Sequence, residues 1–152
     1  MLKTRLTHPE ILHALAMAGH RAKVLITDGN YPHSTKSNPA AKRVFLNLAP
    51  GTVKVTEVLE ALTHTIPIES AEVMQSEDGT EPPIWAEFRA LLPGIALIER
   101  PLPEFYKAAL LPDTALVIAT GEQQPYANLL LTIGVIWPED AAHDKAAIVQ
   151  ST

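Results

Sequence analysis

The side chains best suited to moving protons or holding hydroxyl groups are His20, Asp28, His33, Glu122, Tyr126 and Asn128. An imidazole beside a carboxylate transfers protons near neutral pH, and a phenol or carboxamide both donates and accepts hydrogen bonds. His20 follows Gly19, where a helix should stop, and precedes the apolar run Val24-Leu25-Ile26, which ends in Asp28-Gly29-Asn30. Ligands of open α/β sheets bind in the crevice beyond the carboxyl ends of the strands, so a strand-terminal aspartate with a nearby imidazole marks a candidate site. On this reading His20 is expected to face that crevice.

Each residue also has a structural reading. A helix C-terminus mildly favours an imidazolium, which would account for His20 as an exposed group. Asp-Gly is a common turn pair in which the aspartate bonds its own turn amides. Tyr126 can be a rim aromatic, Asn128 a turn residue and Glu122 a solvated charge, while His8, His13, His64 and His143 read as structural or surface groups. No residue establishes a site alone.

The elements that must position these groups follow from periodicity and breakers. A chain of 152 residues with 47% hydrophobic content suits one core, assigned here to residues 1–137, with 138–152 as a tail lacking packed periodicity. Thr7 to Glu10 carries a capping-box pattern, and Ile11, Leu12, Leu15 and Ala18 continue it at helical spacing up to Gly19. Strands are expected at Val24–Ile26, Arg43–Leu48, Ala71–Met74, Ile95–Ile98, Ala115–Ala119 and Leu129–Val135. Helices are expected from Thr52 to near His64, through Trp85, Phe88 and Leu91, and from Glu104 to Leu111. This alternation predicts a three-layer α/β/α sandwich around a mostly parallel sheet of about six strands. The connection from Gly121 to Asn128 is too short and polar for a parallel crossover, so the last strand is expected to be antiparallel.

Composition excludes several classes of function. Charged residues make up 19% of the chain, the net charge is −5 and Lys and Arg are scattered, which argues against a nucleic-acid partner. The absence of cysteine removes disulfides, thiol catalysis and thiolate metal sites, and fits a reducing compartment. No apolar run approaches a membrane span, and His13 interrupts the only early apolar stretch, so the expected location is cytoplasmic. The histidines lack zinc-protease spacing, and Asp28-Gly29-Asn30 lacks the clustered glycines of a phosphate loop, so neither a metal nor another cofactor is expected.

Taken jointly, the motifs resemble a known family. The segment from Pro9 to His20, then Asp28-Gly-Asn-Tyr-Pro32, Pro83-Ile-Trp-Ala-Glu-Phe88, Ile98-Glu-Arg100, Glu104-Phe-Tyr106, Ala119-Thr-Gly-Glu122, Tyr126-Ala-Asn128 and Gly134-Val135 occur in the order and near spacing of the D-ribose pyranase and L-fucose mutarotase family. The Asp-x-Asn-aromatic-Pro form and the Trp-containing helix are closer to the fucose branch. The resemblance implies a ring-shaped homo-oligomer, a decamer of two stacked pentamers, with a monosaccharide pocket near the subunit boundary. It implies His20 as proton donor, with Asp28, Tyr126 and Asn128 on the sugar. The family's basic residue three before the phenylalanine falls on Leu102, whereas Arg100 matches by its Ile-Glu-Arg neighbourhood and is the expected basic contact.

The implied reaction interconverts anomers or ring forms of a free sugar, L-fucose-like or D-ribose, by proton transfer without net redox change. An imidazole of pKa ~6.5 serves both directions near neutral pH. A non-catalytic sugar-binding or transport-associated module is the alternative, for which Leu102 is the hint. A generic α/β ligand-binding domain is the third.

Overall fold

The computed structural model describes residues 1–140, so most of the expected tail, His143 included, lies outside the described residues. In chain order the elements are α1 (Pro9–Ala18), β1 (Lys23–Thr27), β2 (Lys42–Phe45), α2 (Val55–Thr63), β3 (Ile68–Met74), α3 (Ile84–Leu91), β4 (Leu97–Arg100), α4 (Leu102–Leu110), β5 (Thr114–Ala119) and β6 (Leu129–Ile133).

The strands form one six-stranded sheet in the order β2-β5-β1-β6-β3-β4. β1, β2 and β5 pair in parallel, as do β3 and β4, while β6 runs antiparallel to both β1 and β3. The last strand is therefore antiparallel, as its short polar connection requires, and it joins the two parallel halves at the centre of the sheet.

Alternation along the strands separates two cores. Val24, Ile26, Leu116, Ile118, Leu129 and Leu131 face one way and pack with Ile11 and Leu15 of α1, Val58 and Leu62 of α2, and Ile84 and Phe88 of α3. Leu25, Val117, Leu130 and Met74 face the other way and meet Phe105, Ala108 and Ala109 of α4. The layers are helix, sheet, helix, with three helices on one face and one on the other.

Local chemistry moved several boundaries. The first helix is capped by His8, whose Nδ1 accepts from the Ile11 amide at 3.4 Å, rather than by Thr7, because Pro9 takes the first helical position. Gly19 ends the helix at φ 85°, as its glycine suggests. β4 starts two residues later than expected because Gly94, at φ 80°, and the Ile95 amide, bonded to the Leu92 carbonyl, keep the chain turning. β2 stops at Phe45, and the following segment turns back through amide bonds from Leu48 and Ala49 to the Thr52 carbonyl. This turn presses on Gly121, where a Cβ would lie 2.1 Å from the Thr52 carbonyl oxygen, so glycine is required there.

Candidate active site

The site begins where β1 ends. Asp28 is buried, and its backbone amide donates to Asn128 Oδ1 at 3.0 Å while Asn128 Nδ2 donates back to Asp28 Oδ2 at 3.0 Å. The other carboxylate oxygen accepts from the Asn30 amide at 2.9 Å. The two residues are 100 positions apart and meet because β6 starts at Leu129 directly opposite Ile26. Burial pushes the Asp28 carboxyl above its ordinary pKa, against the opposing effect of the bonds from Asn30 and Asn128.

Aromatic groups complete the surroundings. Tyr126, half-buried, sits at φ 60°, a left-handed conformation uncommon for a bulky residue and characteristic of constrained sites. Its hydroxyl lies 3.4 Å from the Glu77 amide, a long contact that leaves it available to a ligand. Tyr31 is buried with its hydroxyl donating to the Lys36 carbonyl at 2.6 Å, and its ring meets that of Tyr106 edge-on at 5.6 Å. Burial raises the pKa of both phenols, so they stay protonated at neutral pH.

Asp28, Asn30, Asn128, Tyr31, Tyr106 and Tyr126 form the polar side of a concavity of about 160 Å³ whose remaining lining is Met74, Leu102 and Pro125. A larger hollow of about 520 Å³ shares Asn30 and is walled by segments 47–50 and 120–123. Its only titratable lining residue is Glu122, whose Oε1 already accepts from the Gln123 and Gln124 amides at 3.0 and 3.1 Å. Glu122 therefore anchors a turn, and the buried acid, carboxamide and phenols meet in the smaller concavity.

The remaining candidates are placed elsewhere. His33 Nε2 is 2.6 Å from the Thr27 hydroxyl, outside the lining of the concavity, and burial, with Arg43 nearby, lowers its pKa. Arg100 does not line the concavity. Its guanidinium pairs with the buried Glu72 carboxylate, whose other oxygen receives Lys23 Nζ at 3.1 Å. Leu102, in the first turn of α4, takes the wall position instead.

His20 does not face the crevice of its own chain. It lies before the amino end of β1, while Asp28 follows the carboxyl end, and five strand residues at about 3.3 Å each separate them by roughly 17 Å. The expectation from the helix stop was wrong in direction because β1 carries the chain away from His20. The imidazole is exposed and its Nε2 sits 3.0 Å from Glu69 Oε2. Glu69 was missed by sequence reasoning. It arrives there because β3 runs parallel to β1 and starts at the same end of the sheet, and Gly134 leaves it room, since a Cβ there would lie 3.3 Å from the Glu69 Cβ. Nothing local in the sequence pairs positions 20 and 69.

One chain thus places an exposed imidazole-carboxylate pair at one end of the sheet and a polar-lined concavity at the other. Among the described residues no cluster of three or more His, Cys, Asp or Glu could hold a metal ion.

Comparison with known proteins identifies the family of the chain. The chain is 33% identical over 149 residues to the fucose mutarotase of Homo sapiens, covering 86% of this chain and 90% of that one. It is 32% identical over 139 residues to the D-ribose pyranase of Paracidovorax citrulli, covering 89% and 98%. The structure of the fucose mutarotase of Streptococcus pneumoniae in complex with L-fucose superposes with a TM-score of 0.71 at 26% identity, over 86% of this chain and 94% of that one. Residues 1–136 match the model of the RbsD / FucU transport protein family, and the chain belongs to that family.

Proposed function

We propose that this protein is a cofactor-independent isomerase that interconverts anomers or ring forms of a free monosaccharide, with L-fucose-like sugars favoured and D-ribose as a further substrate. The observation that carries the reading is the separation of the two half-sites within one chain. A head-to-tail contact between copies brings the His20 end of one against the Asp28 end of the next, and repeated contacts of this kind close into a ring. A ring-shaped homodecamer of two stacked pentamers satisfies this requirement. The exposed Phe45, Leu48, Met17, Ile136 and Trp137 supply apolar surface for such contacts.

Each group then has a role. Asp28, Asn128 and Tyr126 hold sugar hydroxyls, with residues 1–137 as one sugar-binding unit. His20 of the neighbouring copy shuttles the proton and Glu69 orients its ring. In the opening step the anomeric hydroxyl gives up its proton, the bond from C1 to the ring oxygen breaks, and that oxygen is protonated, leaving the open-chain aldehyde. Reclosure on the other face of the carbonyl, or through another hydroxyl, gives the second form. Electrons balance within the sugar, so the reaction draws on no redox partner. Positioned acid-base groups contribute about 10²–10⁴-fold, a scale suited to a reaction that already proceeds slowly in water. The cysteine-free composition supports work in the cytoplasm.

Magnetisation-exchange NMR on a panel of free monosaccharides tests the reading. Faster exchange between L-fucose forms in the presence of protein is the expected result. Saturable binding without faster exchange would replace the enzyme by a sugar-binding module, and neither effect on any sugar would overturn the assignment.

A further inference from the structure

The concavity is two-sided. Asp28, Asn30 and Asn128 present hydrogen-bonding groups, whereas Leu102 and Met74 meet it with hydrocarbon and thioether surface. This apolar wall is fixed. Met74 belongs to the core under α4, Leu102, Tyr106 and Tyr126 pack against the same cluster, and Met74 Sδ lies 3.8 Å from Asn128 Nδ2. Leu102 stands in the first turn of α4, directly after Pro101 and before Pro103, so its backbone is held by two rings with restricted φ. The nearest cationic group along the chain, Arg100, is committed to Glu72 and cannot swing in without leaving that buried carboxylate with Lys23 as its one remaining partner.

Resting on the function proposed above, we infer that Leu102 is a specificity-determining residue. It selects monosaccharides whose edge on that side of the ring is hydrocarbon, a methyl or methylene carbon, over those that carry a hydroxyl there. A hydroxyl set against Leu102 and Met74 loses its water and gains no full partner. Apolar pockets reject such an added hydroxyl only moderately, by up to about 10²-fold. The preference is therefore a bias set by one side chain, and one side chain should reset it.

L-Fucose and L-galactose make the test pair, because they share their ring stereochemistry and differ only in the hydroxyl on C6. Exchange rates per protein are measured by magnetisation transfer for both sugars, on wild type, Leu102→Gln and Leu102→Met. The expected wild-type ratio favours L-fucose by about 10-fold to 100-fold. Leu102→Gln supplies a partner for the hydroxyl and should bring the ratio below about threefold, while the apolar Leu102→Met should keep the wild-type preference. A wild-type ratio near one overturns the inference without recourse to any variant, as does a ratio unchanged in a folded Leu102→Gln protein. Absence of accelerated exchange in wild type for L-fucose, L-galactose and D-ribose alike would instead refute the isomerase reading itself, so the two failures are distinguishable.

Discussion

Replacing His20 with alanine separates a catalytic imidazole from a bystander. The side chain of His20 is 43% exposed and its partner Glu69 42%, and an exposed pair of this kind is worth about 0–1 kcal/mol, so the fold should lose little. Within its own chain the concavity lies roughly 17 Å away along β1, so a local rearrangement at position 20 leaves that chain's sugar-holding groups undisturbed. Sugar affinity should therefore stay within about threefold, since Asp28, Asn128 and Tyr126 remain in place. Turnover should fall by about 10²-fold or more, which corresponds to about 2.7 kcal/mol of barrier. Exchange NMR gives the rate, titration the affinity and urea unfolding the stability. A folded His20→Ala protein with wild-type exchange of a sugar that the wild type turns over would refute the catalytic role.

Three further outcomes follow from the geometry. Tyr126→Ala should weaken sugar binding about tenfold through loss of a ring and hydroxyl contact, with the fold intact, and unchanged affinity by titration would remove Tyr126 from the site. Asp28 is more readily protonated in the folded chain than in the unfolded one, so its ionisation disfavours folding: this stability is complete below the ordinary aspartate pKa and is lost as pH rises through the raised one. Urea titrations between about pH 4 and 7 should accordingly show Asp28→Asn gaining on wild type as pH increases, and a gap independent of pH would contradict the raised pKa. Glu72→Ala strands Lys23, whose side chain is 14% exposed, with only Asp113 at 3.7 Å, and Arg100, which is 37% exposed and better hydrated. The cost should be about 2–3 kcal/mol in urea unfolding, below the ~3–5 of a fully enclosed pair, and a loss under about 0.5 would mean the network contributes nothing.

What was legible in the sequence was whatever short-range chemistry determines. Val24-Leu25-Ile26 reads as a strand buried on both faces because no polar residue interrupts it, and all three are fully buried. The polar connection 121–128 is too short to cross over, and β6 is antiparallel for that reason. Asp28, Tyr126 and Asn128, singled out through the family resemblance, line one concavity. Illegible were features decided by contacts distant in sequence. Glu69 reaches His20 only through the sheet order, and Arg100 is withdrawn from the pocket by Glu72, a buried acid that periodicity alone places on no particular face. The direction in which His20 points was lost for the same reason: the helix stop and the strand were both recognised, but the length of β1 puts them at opposite ends of the sheet.

The central claim, that each site is shared between copies, is tested most directly by mixing two impaired chains. His20→Ala keeps the concavity and Asp28→Asn keeps the imidazole, so a site built from the first chain's pocket and the second chain's histidine is intact. Co-refolding equal amounts into randomly mixed rings should give intact pairs at about one quarter of sites. At sugar concentrations below saturation the mixture should then exchange L-fucose at about one quarter of the wild-type rate, although His20→Ala alone is slowed about 10²-fold and Asp28→Asn alone is weakened by the loss of a charged contact to the sugar. A mixed oligomer no more active than its two parents would contradict the shared site.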